Sequence, residues 1–273
     1  MSERKAEGTG SPPPPGLAHR LLTALILIPL ALGSVLLGGR LYVGVIAAMT
    51  IFLLFEWTRI VDGAELQRGF FLLSATATSA CYFAAGGEVI AAILATALGG
   101  ALATGSEWTK TNPQSWPAAG AAYIVLPAIA ALWLRLEAED GARLTILLFL
   151  CVWASDSGAY LFGRLIGGPK LAPRISPAKT WAGAGGAFLC AGATGLAFAL
   201  LFGGPALLFC FYGGTIGIAA VLGDLAESSL KRRYGMKDSG GAFPGHGGVL
   251  DRLDGFLFAV LALAASVLLL QSS

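Results

Sequence analysis

The chain is a succession of long apolar runs, and these limit what it can fold into. Windows almost free of charge lie at residues 20–38, 41–58, 69–86, 88–105, 117–135, 143–163, 182–203, 205–222 and 255–271. A helix needs about 20 apolar residues to cross the hydrocarbon core of a bilayer. The runs are continuous rather than alternating, which argues against a transmembrane β-barrel. The reading is an all-α polytopic membrane protein of about nine transmembrane helices. Only 12% of residues are charged and 56% are hydrophobic, where a soluble domain is about a quarter charged. The signal is weakest at 88–105, rich in Ala and Gly, and at 205–222, interrupted by Gly213, Gly214 and Gly217.

Basic residues orient the chain. With the N-terminus inside, 15 of the 18 Lys and Arg fall in inside loops, and only Arg40, Arg135 and Arg143 lie outside. This asymmetry follows the positive-inside rule and places the C-terminus outside. Residues 1–19 are polar, with consecutive prolines from Pro12 to Pro15, and read as a disordered cytoplasmic tail. The first apolar run is too long for a cleaved signal and reads as a retained span. Residues 20–142 then form an N-terminal set of helices. Residues 143–273 form a C-terminal transmembrane region with cytoplasmic loops at 163–182 and 223–254. Cys81, Cys151, Cys190 and Cys210 all sit in apolar runs without CxxC spacing, as small buried side chains do. The net charge of +2 offers no footprint for nucleic acid. The absence of an evident internal repeat counts against an inverted-repeat transporter.

Against this background residues 223–254, GDLAESSLKRRYGMKDSGGAFPGHGGVLDRLD, stand apart. They hold five carboxylates, five Lys or Arg and one of the two histidines. If the preceding helix continues, Asp224, Glu227 and Ser228 share a face, and Lys231 follows Glu227 by four. Asp251 and Asp254 share a face at the start of the last span. A return loop can bring the two carboxylate pairs together. Four acids at one place repel unless neutralised. One reading pairs them with Lys231, Arg232, Lys237 and Arg252 in a surface network. The other neutralises them with a hard divalent cation, and Mg²⁺ suits phosphate chemistry. Gly240, Gly241, Gly245, Gly247 and Gly248 favour the second, because glycines let backbone N–H groups approach an anion. No Walker A or GxGxxG motif is present. His246 can donate to a phosphate, ligate a metal or brace the loop.

Upstream, Asp156 lies inside the sixth span, either as a partner of Arg164 or a helix hydroxyl, or as the wall of a polar cavity. The run ISPAKTW places Ser176, Lys179 and Thr180 before the seventh span, where donors and a helix N-terminus favour an anionic oxygen. Glu56 near the inner end of the second span is accounted for by snorkelling to the interface.

The run from Ser228 to Asp254, with its KR, KD, HGG and DRxD elements, resembles the C-terminal signature of the phosphatidate cytidylyltransferases, or CDP-diacylglycerol synthases. SDSGAYLFGR and ISPAKTW also look like blocks of that family. The resemblance is strong over residues 145–260. One departure is Ala182, where relatives often carry an acid after SPxKTW.

The resemblance implies transfer of CMP from CTP to phosphatidate, giving CDP-diacylglycerol and pyrophosphate. It also implies Mg²⁺ dependence, with a second cation left open, a homodimer, and a bacterial inner-membrane setting with the active site facing the cytoplasm. Asp224 and Asp251 are then the first candidates for metal ligands, with Glu227 and Asp254 as ligands or close supports. Lys231, Arg232 and Lys237 neutralise the triphosphate or pyrophosphate, and Asp238 orients one of these cations. Asp156, Ser176, Lys179, Thr180, Ser228, His246, Gly247, Gly248 and Arg252 make up the substrate-binding set. The competing readings are a CTP-dependent polyprenol or phytol kinase and a solute transporter.

Overall fold

The structure, a computed structural model, describes residues 29–62, 68–107, 116–236 and 248–271. Helix α1 covers residues 29–37 and stops at Gly38, whose φ of +63° suits glycine. Then come α2 (Gly39–Asp62), α3 (Arg68–Ala85) and α4 (Val89–Glu107). α5 (Trp116–Gly120) runs through a π-helical turn (Ala121–Val125) into α6 (Leu126–Leu136). Pro127 lacks an N–H, so the regular ladder cannot pass through it. α7 (Gly141–Leu165) leads to β1 (Lys170–Ala172) and β2 (Ser176–Thr180), and α8 (Trp181–Phe202), α9 (Ala206–Arg233) and α10 (Leu250–Gln271) complete the chain.

Seven helical stretches among the described residues are long and apolar enough to cross a membrane: α2, α4, α5 to α6, α7, α8, α9 and α10. Each matches an apolar window of the sequence. The protein is a helical polytopic membrane protein. The 69–86 window is helix α3, less apolar because it begins at Arg68 and carries Ser74, Thr76, Thr78 and Ser79. The 20–38 window is described only from residue 29 on.

Two apolar cores hold the bundle. One gathers Leu53, Leu54 and Trp57 of α2, Leu73 of α3 and Ile124 of the π turn, and reaches across to Leu230 and Leu250. The other joins Leu147 and Cys151 of α7, Phe198 of α8, Phe209 and Ile216 of α9 and Leu263 of α10. α8 lies between α7 and α9. Small residues let it approach, since a Cβ on Gly158 would strike the Gly186 carbonyl and the Cys190 side chain.

One addition to the all-helical expectation is the antiparallel pair β1–β2, with Lys170 opposite Thr180 and Ala172 opposite Ser176. It folds residues 170–180 back against the start of α8. Both strands of a two-stranded hairpin are edge strands, the setting in which a proline such as Pro177 of β2 is tolerated. At the opposite end of the bundle two arginines cap helix ends. Arg135 Nε donates to the Val35 carbonyl at 2.6 Å, and Arg143 donates to the Phe202 and Gly203 carbonyls at 2.9 and 2.6 Å. A cation at a helix C-terminus meets the negative end of the dipole.

Candidate active site

Helix α9 spans 28 residues, about 42 Å at 1.5 Å per residue. That exceeds the hydrocarbon thickness, so its last turns carry Asp224, Glu227, Ser228 and Lys231 beyond the most apolar stretch. α10 comes back beside them. The approach is possible because residue 223 is glycine, as any Cβ there would strike the Asp254 carbonyl. The two helices therefore bring together acids that the sequence holds 27 to 30 positions apart.

Asp224, Glu227 and Asp254 each offer an oxygen, and all three oxygens lie within 4.8 Å of one another. Glu227 is 1% exposed. Its Oε2 meets Lys231 Nζ at 2.6 Å, while its buried Oε1 has no hydrogen-bond donor among the described residues. Asp251 adjoins the triad, its carboxyl in side-chain hydrogen-bonding contact with Glu227. Its Oδ1 lies 2.7 Å from Lys231 Nζ, and its Oδ2 accepts the Gly248 N–H at 3.0 Å. Lys231 thus bridges Glu227 and Asp251 across the two helices.

Lys179 arrives from the hairpin. Its Nζ lies 2.6 Å from Asp224 Oδ2, and the Ser228 hydroxyl donates to Asp224 Oδ1 at 3.5 Å. Thr180 caps α8, its side-chain oxygen accepting the Gly183 N–H at 3.1 Å. Ser176 lies at the start of β2, and Ala182 leaves the first turn of α8 without an acid. Asp156 lines a cavity of about 400 Å³ with Tyr160, Arg164, Lys179, Thr180 and Asp224. Arg164 donates to the Tyr160 hydroxyl at 2.6 Å. Arg232 turns to the Ile175 and Met236 carbonyls, both at 3.4 Å, and ties the end of α9 to the hairpin turn. Arg252 is exposed on the first turn of α10. Lys237, Asp238, His246 and Gly247 lie outside the described residues.

Among the described residues the arrangement sets five carboxylates (Asp156, Asp224, Glu227, Asp251 and Asp254) against the ammonium groups of Lys179 and Lys231 and the Arg164 guanidinium. Such an excess of negative charge in a partly buried place favours a cation. The unclaimed, buried Glu227 Oε1 is an oxygen ready to ligate one. Oxygen-only donors suit a hard divalent ion.

Two neighbours escaped the sequence reading. Glu56 does not snorkel. It is 1% exposed, and its two carboxylate oxygens accept the Val249 and Leu250 N–H groups at 2.8 and 2.7 Å. An acid close to a span end was the available signal, but nothing nearby in sequence names its partner. Tyr123, on the π turn, stacks on Trp57 with ring centres 5.3 Å apart and meets Phe258 edge-on at 5.8 Å. Its buried hydroxyl has no partner among the described residues and lies within electrostatic reach of Asp254, Glu227 and Asp224.

The chain is similar to known proteins over most of its length. A phosphatidate cytidylyltransferase of Brucella suis is 37% identical over 259 residues, covering 90% of this chain and 92% of its own length. One from Pseudomonas aeruginosa is 36% identical over 267 residues, covering 91% of this chain and 96% of its own. A third, from Staphylococcus epidermidis, is 43% identical over 136 residues, 49% of this chain. The model of the cytidylyltransferase family matches residues 18–270. With that match spanning nearly the whole length, the chain belongs to the cytidylyltransferase family.

Proposed function

We propose that this protein transfers CMP from CTP to phosphatidate in the membrane, releasing CDP-diacylglycerol and pyrophosphate. The observation that carries the reading is the Asp224, Glu227 and Asp254 cluster, flanked by Lys179 and Lys231 and open to a cavity between α7, α8 and α9. The full-length likeness to enzymes named for this reaction supports it.

The chemistry asks for little beyond charge and position. An oxygen of the lipid phosphate forms a bond to the α-phosphorus of CTP. The bond from that phosphorus to the bridging oxygen breaks, and its electron pair leaves with pyrophosphate. The attacking oxygen is already anionic, so no general base is required. The barrier is repulsion between two anions. Fixed cations and in-line positioning lower it.

Asp224, Glu227 and Asp254 would hold Mg²⁺, which when bound neutralises phosphate charge. Asp251 keeps Lys231 aimed at the same place. Lys179, with the hydroxyls of Ser176 and Thr180, receives a phosphate of lipid or nucleotide. Asp156 keeps the cavity polar. Arg232, Lys237, Asp238, Ser228, His246, Gly247, Gly248 and Arg252 complete the phosphate- and nucleotide-binding surroundings in this reading. Tyr160 lines the cavity and is exposed, as are its chain neighbour Leu161 and Trp181 next to the cavity's Thr180, a lateral route for acyl chains from the bilayer. The same reading carries an inner-membrane location, a cytoplasmic site and a homodimer.

The test uses two labels. Purified protein in detergent receives phosphatidate, Mg²⁺ and CTP labelled at either the α- or the γ-phosphate. Transfer is expected to carry the α-label into lipid and leave the γ-label in pyrophosphate. Lipid labelled only by γ-labelled CTP would make the protein a kinase and overturn the proposal.

A further inference from the structure

We propose that Glu56 is a positioning residue for the reaction, acting as a cap on the acidic helix α10 supplied from the N-terminal half. The inference rests on reading Asp224, Glu227 and Asp254 as a cation site. The first N–H groups of any helix lack partners within it. They are normally met by a Ser, Thr, Asp or Asn side chain just ahead. α10 begins at Leu250, and Val249 stands just ahead of it. Valine offers no acceptor, so the local sequence leaves this end uncapped.

Three carboxylate oxygens of two residues meet the backbone here. Asp251 Oδ2 accepts the Gly248 N–H at 3.0 Å. Glu56 Oε1 and Oε2 accept the Val249 and Leu250 N–H groups at 2.8 and 2.7 Å, across sequence separations of 193 and 194 residues. Glu56 is 1% exposed, and Val249 and Leu250 are 3% and 0% exposed. Water cannot replace it there. A carboxylate facing a helix N-terminus also meets the positive end of the dipole, and both bonds are charge-assisted.

The consequence is geometric. Asp251 stands in the first turn of α10 and Asp254 at the start of the second, one and four positions after Leu250. Their location relative to α9 depends on where the helix starts and how it is rotated. The two-pronged contact fixes both against α2, whose Leu53, Leu54 and Trp57 belong to the same apolar core as Leu230 and Leu250. Glu56 touches neither substrate nor cation in this account. It acts through the backbone of residues 249–250. This gives the N-terminal helices a part in the chemistry that an inventory of acids does not reveal.

The test compares Glu56→Gln and Glu56→Asp with wild type as purified detergent-solubilised protein. Gln has the same shape, but its amide offers one acceptor oxygen where two N–H groups need one each. Asp keeps both oxygens on a shorter stem. Mn²⁺ is the probe, its binding followed by electron paramagnetic resonance, and hydrogen exchange over residues 248–254 is measured without metal.

Glu56→Gln is expected to stay folded, exchange faster over 248–254, and bind Mn²⁺ about 10–100-fold more weakly, the range for groups that orient metal ligands. Glu56→Asp recovers part of that loss. The KM for phosphatidate stays near wild type while kcat falls. Unchanged exchange, or Mn²⁺ affinity equal to wild type, overturns the positioning role. Binding lost only in proportion to unfolded protein overturns it too. Wild type that binds no Mn²⁺ overturns the cation site itself, and this inference with it.

Discussion

Lys231 holds two carboxylates at once. Its ammonium sits 2.6 Å from Glu227 and 2.7 Å from Asp251, and its side chain is 13% exposed. Breaking a buried pair by removing one partner costs about 3–5 kcal/mol, because the other charge stays behind unpaired. Lys231→Ala is therefore expected to lower the melting temperature in detergent, with a loss near 3 kcal/mol at this exposure. Adding Glu227→Gln should return part of the loss, since one stranded charge disappears. No recovery in the double variant would mean that Lys231 contributes packing alone.

Asp224→Asn makes the complementary test. It should leave the fold intact and cut cytidylyl transfer by at least about 100-fold, or roughly 2.7 kcal/mol of barrier. Near-normal rates would remove Asp224 from the site. The sequence made part of this legible. Glu227 and Lys231 are four apart on one helix, so their pairing followed from helical spacing. The link from Lys231 to Asp251 needed the return of α10. Glu56 was misread because its partners are backbone groups near the far end of the chain, which no side-chain pattern reveals.

Among elements, the α9–α10 contact decides whether the site exists. Gly223 allows it by presenting no side chain to the Asp254 carbonyl. Gly223→Ala should push the helices apart, cost about 1–3 kcal/mol through overpacking, and remove most activity as Asp254 leaves the cluster. Gly185→Ala on α8 is the control, because a Cβ there meets nothing within 4 Å. It should be neutral or gain up to about 1 kcal/mol of helix stability. Equal behaviour of the two variants, read by melting and by transfer rate, would refute the close approach.

The apolar windows located the helices within a few residues, since hydrocarbon thickness and breakers govern both. They mark apolarity rather than helix ends, and the two part company where a helix leaves the hydrocarbon, as the helical reading of GDLAESSLKRR anticipates. The eighth window stopped at residue 222, yet α9 continues to Arg233, because AESSLKRR loses apolarity without losing the capacity to be helical. The β1–β2 hairpin was missed for the opposite reason. Its strands are three and five residues long, the second interrupted by Pro177, too short for any alternation to register.

At the scale of the molecule, the described helices sort their ends into two groups. The carboxylates, the hairpin and most basic residues share one end, and Arg135 and Arg143 cap helices at the other. In the proposed reading, the positive-inside bias puts the site end at the cytoplasm. Single cysteines test this in a chain whose native cysteines have been replaced. Glu139→Cys, between α6 and α7, should react with an impermeant maleimide in intact cells, and Arg174→Cys in the hairpin only after permeabilisation. The reverse pattern would turn the site outward, away from the nucleotide supply. The charge asymmetry was readable from sequence because it is a sum over loops. The division of labour between the two halves was not, because Glu56 and Tyr123 reach the site only through tertiary contacts.

The most direct measurement of the central claim is cytidylyl transfer by purified protein stripped with EDTA and resupplied with Mg²⁺, alongside the Asp254→Asn variant. The account predicts that α-labelled CTP marks lipid in wild type only when Mg²⁺ is free, and that the variant stays at background at every Mg²⁺ concentration. Transfer that persists in excess EDTA, or a variant as active as wild type, would contradict a cation held by the α9 and α10 carboxylates.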